Sequence, residues 1–308
     1  MRALATILGG LLALGSTTAQ AATGAGSTGT QGLKLARGAR PAAMGNAYVA
    51  VASGADSILW DPAGMNQLRD LQANLGHLAY LDGVADDYLL VARPLYGFGA
   101  WGLGMNYLYA SDQGYDNWGN PEAAFNVFDF SAQVAMSIDV MDDLSLGAVY
   151  KILRQGYAQQ YSMGSGADLG IQYRDLWKRL DLAAGVFNAG TPVALGSNYA
   201  PLPLTLKVGA ALRVTDDWLL ALDYENQPYD FINKLHAGTE YAYRVGAVGT
   251  FARLGYTLGP EQDQGGLGGL SAGLGLALGA WQLDYAFAPQ GDLGNTHRLS
   301  MTWSSWLF

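Results

Sequence analysis

The chain has 308 residues, 50% of them hydrophobic and only 14% charged, with no cysteine and three histidines. The lack of cysteine excludes a disulfide scaffold, a thiol enzyme and a Cys-ligated zinc module, and 17 basic against 26 acidic side chains, a formal charge of −9, leave no basic field to hold nucleic acid. Abundant glycine (42 residues) and aromatics (8 Trp, 18 Tyr, 9 Phe) beside so few charges describe a chain that is apolar without being a bundle of membrane helices.

The chain starts with an export signature. Arg2 supplies a positive start, Ala3 to Leu14 an apolar run too short to span a bilayer, and Ala19-Gln20-Ala21 a small-residue cleavage site. Charge, apolar run and cleavage site in that order predict a signal peptide over 1–21, cleaved after Ala21. Beyond it there is no uninterrupted apolar run of the 18 or more residues that a membrane helix requires.

The next segment, 22–68, does not alternate. It carries Gly38-Ala39-Arg40-Pro41-Ala42-Ala43-Met44-Gly45-Asn46-Ala47-Tyr48 and then Asp56-Ser57-Ile58-Leu59-Trp60-Asp61-Pro62-Ala63-Gly64-Met65, which suit a short helical piece and a Pro-Gly turn.

From residue 69 on, the period is two. In 98–110, Trp101, Leu103, Met105, Tyr107 and Tyr109 share one parity against Ala100, Gly102, Gly104 and Asn106. In 125–139, Phe128, Phe130, Val134, Met136 and Ile138 oppose Asp129, Ser131, Gln133, Ser137 and Asp139. Counting such segments predicts strands at 71–81, 87–95, 98–110, 125–139, 144–157, 166–174, 180–188, 204–214, 217–225, 235–244, 246–257, 270–278, 280–288 and 296–303. Met141-Asp142-Asp143 and Thr215-Asp216-Asp217 read as tight turns, Ser111 to Ala124 and Gly259 to Gly269 as long loops.

A soluble sandwich would place polar residues on the second face, whereas here many positions of that face are Gly, Ala or Ser, and aromatics often lie near segment ends. About fourteen such strands, an even number, with connections of alternating length, predict an all-β chain: a transmembrane antiparallel β-barrel in a Gram-negative-type outer membrane. The segment before the first strand, being irregular, must sit in the lumen rather than in lipid, as an N-terminal luminal plug. The expected division is therefore signal 1–21, N-terminal segment and plug 22–68, and barrel 69–308.

Charges on the polar parity follow the same logic. A Lys or Arg facing lipid near the midplane costs about 2–4 kcal/mol. Asp129, Lys151, Asp168, Arg174, Lys207, Arg213, Asp223 and Glu225 should therefore point inward, pairing with each other and the plug or lining a route through it. Asp82, Asp86 and Asp87 read as loop acids able to hold divalent ions that bridge lipopolysaccharide.

The stretch Gly38 to Ala50, followed by Ala55-Asp56-Ser57 and Trp60-Asp61-Pro62-Ala63-Gly64-Met65, resembles the N-terminal region of the PorV/PorQ family and the hatch of FadL-type transporters, whose Asn-Pro-Ala motif has Asp61 here in place of Asn. Asn188 to Pro192 with Pro201 to Gly209, and Leu283 to Phe287 through Gly291-Asp292-Leu293-Gly294 to Ser300, are similar to PorV/PorQ segments. The resemblance implies a fourteen-stranded barrel with a hatch, in which Asn46, Asp61, Pro62 and Gly64 are the gating candidates or simply fix the plug. It implies passage of hydrophobic compounds across the outer membrane or, alternatively, receipt of exported protein cargo in type IX secretion. Expected partners are outer-membrane lipids and lipopolysaccharide, the barrel-assembly machinery, which reads a terminal aromatic such as Phe308, and an apolar ligand or a secreted protein.

No motif supports an enzyme or a cofactor. His77, His236 and His297 are too far apart in sequence for a local metal pair, and His297 reads as a hydrogen-bonding residue at the start of the last strand. Gly265-Gly266-Leu267-Gly268-Gly269 and Gly273-x-Gly275 lack the G-K-[ST] of a phosphate loop and read as a loop followed by a strand with a small inward face.

Overall fold

A computed structural model describes residues 26–195, 198–260 and 268–305. The expected signal segment, the terminal Phe308 and most of the loop before Gly269, including Gly265 to Leu267, lie outside the described residues.

Alternation of large apolar with small or polar residues gives each strand two unlike faces, which a closed sheet satisfies by turning one to lipid and one to its interior. The strands are β1 (Gln72–Ala79), β2 (Ala85–Leu95), β3 (Gly99–Tyr115), β4 (Pro121–Met141), β5 (Leu144–Tyr157), β6 (Gln160–Leu176), β7 (Leu180–Gly190) and β8 (Val193–Leu195). They continue with β9 (Asn198–Ala200), β10 (Thr205–Arg213), β11 (Trp218–Gln227), β12 (Ile232–Val245), β13 (Val248–Leu258), β14 (Leu270–Leu278), β15 (Trp281–Pro289) and β16 (Asn295–Ser304). Fourteen of them form a closed antiparallel barrel in chain order, sealed where β16 pairs with β1. All fourteen segments expected from periodicity are present.

Two differences have physical causes. The predicted loop Ser111 to Ala124 is mostly strand: β3 and β4 pair out to Tyr115 and Pro121, leaving a turn in which the Asp116 carboxylate accepts from the Trp118 and Asn120 amides. Backbone pairing itself needs no apolar face, so the alternation fades before the ladder does. The second difference is the hairpin β8–β9, three residues a side inside the β7–β10 connection, too short to leave a periodic signal.

The barrel has unlike ends. The connections 96–98, 142–143, 177–179, 214–217, 246–247 and 279–280 lie at the turn end, where β1 begins and β16 finishes; of those at the loop end, all but 158–159 run to four residues or more. Outward-facing Trp101, Trp218, Trp281 and Trp303 ring the turn end, and Tyr107, Tyr109, Tyr224, Tyr256 and Tyr285 ring the loop end. Leu103, Met105, Val134 and Leu254 lie exposed between them. Two aromatic girdles bounding an apolar band are what a membrane wall presents to lipid, and among the described residues no helix is long and apolar enough to cross.

The molecule's packed core is inside the barrel. Residues 26–68 form an inner segment of short helices (Ala39–Ala43 and Ser57–Trp60) and 3-10 turns, with Ala39, Met44, Tyr48, Val49, Ile58 and Met65 buried. Met44, Tyr48, Val49 and Trp60 pack against wall residues Ala183, Ala211 and Ala221, and Ile58 and Met65 against Ala100, Ala135 and Val149. The inward wall face is small because this segment fills the space.

Candidate functional site

Pro62 opens the 3-10 turn Pro62–Gln67 with a φ already suited to it, and Asp61 caps that turn, its Oδ1 accepting from the Ala63 amide at 3.0 Å. The turn lies on a flat patch of wall made by Gly147 and Gly170, which pair across β5 and β6. A Cβ at Gly170 would fall 1.9 Å from Asp61 Oδ1, and one at Gly147 2.2 Å from the Ala63 nitrogen. Gly64 is equally constrained, since its Cβ would meet the Ala52 carbonyl at 2.1 Å. Asp61 is fully buried, its Oδ2 has no hydrogen-bond partner, and burial holds its carboxyl well above the usual carboxylate range. Its one hydrogen bond among the described residues uses an oxygen that Asn also has, and the second oxygen stands where an amide would place its donor.

Asn46 does a different job. With Gly45 it forms two successive left-handed residues, φ 63° and 66°, that reverse the chain after the first helix, and its amide donates to the Pro41 carbonyl. Its Oδ1 is buried without a partner.

The predicted inward charges divide into three groups. Asp223 accepts from the Tyr48 and Val49 amides at 2.6 and 2.8 Å, and Asp129 from the Gly32 amide at 3.0 Å, so both bind the inner segment through its backbone. Lys151 pairs with Asp168 at 2.7 Å, and Lys207 with Glu225 at 2.8 Å. Arg174 and Arg213 lie instead at the turn end, where Arg174 is 3.7 Å from Asp139 and Arg213 bridges Asp175 and Asp181. They join strand ends rather than line the lumen, because the alternation carries them past its last enclosed layer.

Several residues beyond the gating and inward-charge candidates complete the site. Arg40 of the inner segment makes two bonds to Glu240 at 2.8 and 2.9 Å, and Arg253 bridges Glu240 at 2.5 Å to Asp284 at 2.6 Å. This buried latch joins residues about 200 positions apart in sequence. Gln172 donates to the Val49 and Ala52 carbonyls, both at 3.0 Å. Asn188, left-handed at φ 60°, accepts from Lys151 and donates to Asp168 where the β6–β7 register shifts. Asp86 corrects an expectation: it is no loop acid but fully buried, held by Arg37 at 2.6 and 2.9 Å, because it falls on the inward parity of β2. Asp87 points outward and pairs with His77 rather than standing free.

Above the inner segment, toward the loop end, lies a cavity of about 580 Å³. Leu33, Leu35, Leu59, Trp60 and Phe187 form its apolar wall, and Asn46, Asp129, Lys151, Lys207, Glu225 and His236 its polar one. Lys207 Nζ sits 4.7 Å from the Trp60 ring centre, so the cation rests on an aromatic face as well as on Glu225. His236 Nδ1 meets the Gly45 carbonyl at 2.9 Å, and its Nε2 is 3.4 Å from Glu225.

No protein-family model and no curated protein matches the chain. Solved structures do. A deletion mutant of the TodX monoaromatic hydrocarbon channel superposes with a TM-score of 0.61 at 12% identity, covering 87% of this chain and 98% of that one. The Pseudomonas putida toluene transporter TodX gives 0.58 at 13%, covering 82% and 93%, and a Pseudomonas aeruginosa FadL homologue 0.61 at 11%, covering 86% and 98%. Identity this low shows the fold alone, a closed barrel like those of these channels.

Proposed function

We propose that this protein passes hydrophobic compounds across the outer membrane, the inner segment acting as a hatch around Asn46, Asp61, Pro62 and Gly64. The observation that carries the reading is the cavity of about 580 Å³ at the loop end, part apolar and part polar, whose floor is the inner segment itself. A solute entering there meets a floor held to the wall by separable contacts rather than by strands. The similar solved structures are channels and a transporter rather than enzymes, which supports a non-enzymatic role, and the two girdles support the outer-membrane location. In that setting the short turns face the periplasm and the loop end the outside. Reception of secreted cargo draws no support from these structures.

The absence of native cysteine makes a direct test clean. Asn66 and Ser137 touch side chain to side chain at 2.6 Å, joining the last turn of the inner segment to β4. Cysteines at both positions, oxidised to a disulfide, should abolish uptake of a fluorescent apolar probe into proteoliposomes, and reduction should restore it. Uptake unaffected by the locked disulfide would overturn a moving hatch.

A further inference from the structure

We infer that the loop-end cavity binds fused-ring monocarboxylic acids, with the acid group on Arg298 and the ring system lying across the inner segment. The inference rests on the transport reading above and names the class of compound within it.

The acid follows from a charge mismatch inside the cavity. Lys34, Arg37, Lys151 and Lys207 all line it, and each has a carboxylate within 2.8 Å, on Asp230, Asp86, Asp168 and Glu225 in turn. Arg298 also lines it and is only 6% exposed, yet among the described residues no carboxylate comes within 4.0 Å of its guanidinium. Strand pairing sets Arg298 opposite Leu78 and Leu78 opposite Asp86, but Arg37 takes both Asp86 oxygens, at 2.9 and 2.6 Å. Neutral oxygens alone hold the Arg298 guanidinium: Nε donates to the Ala36 carbonyl at 3.1 Å and Nη1 to Thr296 Oγ1 at 2.9 Å. Among the described residues Nη2 makes no hydrogen bond, and it is left to the cavity. A buried cation without a counter-ion is costly, and a ligand that brings one carboxylate offsets that cost, with Nη2 as its donor.

The ring system follows from breadth. The cavity's lining is drawn from β3, β4, β5, β7 and every strand from β10 to β16, so it extends across the lumen instead of running down one side. The inner segment contributes Leu33, Leu35, Leu59 and Trp60 as an apolar floor. A single alkyl chain must coil to cover so broad a floor and loses conformational freedom in doing so, whereas a rigid fused-ring body arrives already broad. A neutral hydrocarbon covers the same floor but leaves Arg298 without a counter-ion.

The test is equilibrium binding to the full chain in detergent, with empty micelles as the blank. The probes are dehydroabietic acid, which is a tricyclic monocarboxylic acid, its methyl ester, and palmitic acid. The tricyclic acid should bind about tenfold tighter than either of the others, and Arg298→Gln should weaken it about tenfold while leaving the ester unchanged, as loss of a charge-assisted hydrogen bond implies. A heat-modifiable gel shift confirms that the variant is folded, and the comparison of probes on wild type stands without it. Ester or palmitic acid binding as tightly as the tricyclic acid, no acid binding above the blank, or equal acid affinity in wild type and folded Arg298→Gln would each overturn the site. Uptake of the neutral probe through the Asn66–Ser137 disulfide lock is read separately. Indiscriminate binding with lock-sensitive uptake would remove this site and keep the transport reading, whereas selective binding with lock-insensitive uptake would remove the moving hatch and keep the site.

Discussion

Asp61 shows how much a single atom decides. Asp61→Asn keeps the Oδ1 acceptor for the Ala63 amide and removes an ionisable group from a fully buried site, so thermal unfolding should occur at or above the wild-type temperature. Asp61→Ala should cost about 1–2 kcal/mol, the usual loss of a capping oxygen. Gly170→Ala should destabilise by about 1–3 kcal/mol, since the new methyl group and Asp61 Oδ1 cannot share the same space. Asp56 adds a pH dependence. Burial, then the charge of Asp284, lift its carboxyl from 3.8 to about 7. The docked segment thus keeps a proton that the unfolded chain releases, and the stabilisation is complete below about pH 4 and lost as pH rises through about 7. Wild type and Asp56→Asn should therefore melt together at pH 4, with the variant the more stable at pH 8. The motif marks Asp61, Pro62 and Gly64 in the sequence, but the flat patch that receives them is made by Gly147 and Gly170, over eighty residues downstream and locally no different from other strand glycines.

Strands and latch were legible to different degrees. Every barrel strand follows from a period of two, because lipid on one side and a packed interior on the other act on each residue independently. Inward orientation of Lys151, Lys207 and Asp223 follows from the same parity. The Arg40–Glu240–Arg253–Asp284 chain does not, since parity says which way Glu240 points and nothing about what it meets across the lumen. Replacing Glu240 with Gln leaves two buried guanidinium groups short of their shared carboxylate, a change that typically costs about 3–5 kcal/mol. Because the wall's own ladders remain, the loss should appear as loosening of the inner segment: faster apolar-probe uptake and early protease cleavage within 26–68, with the heat-modifiable barrel band retained.

At the scale of the whole molecule, the order of contacts along the chain has a consequence for assembly. The inner segment precedes the barrel in the chain, yet four of the side chains that receive it, Asp223, Glu240, Ser271 and Ser300, belong to β11 to β16, the last strands made. The seam is equally long-range, with Ala79 opposite His297. A nascent chain thus holds its core before it holds the wall around it, and sealing β16 to β1 is the step that encloses the one within the other. Such a barrel is wrapped rather than filled. A chain lacking 26–68 should seal more slowly in a refolding time course, and the missing piece added as a peptide should speed sealing only when present before the seam closes.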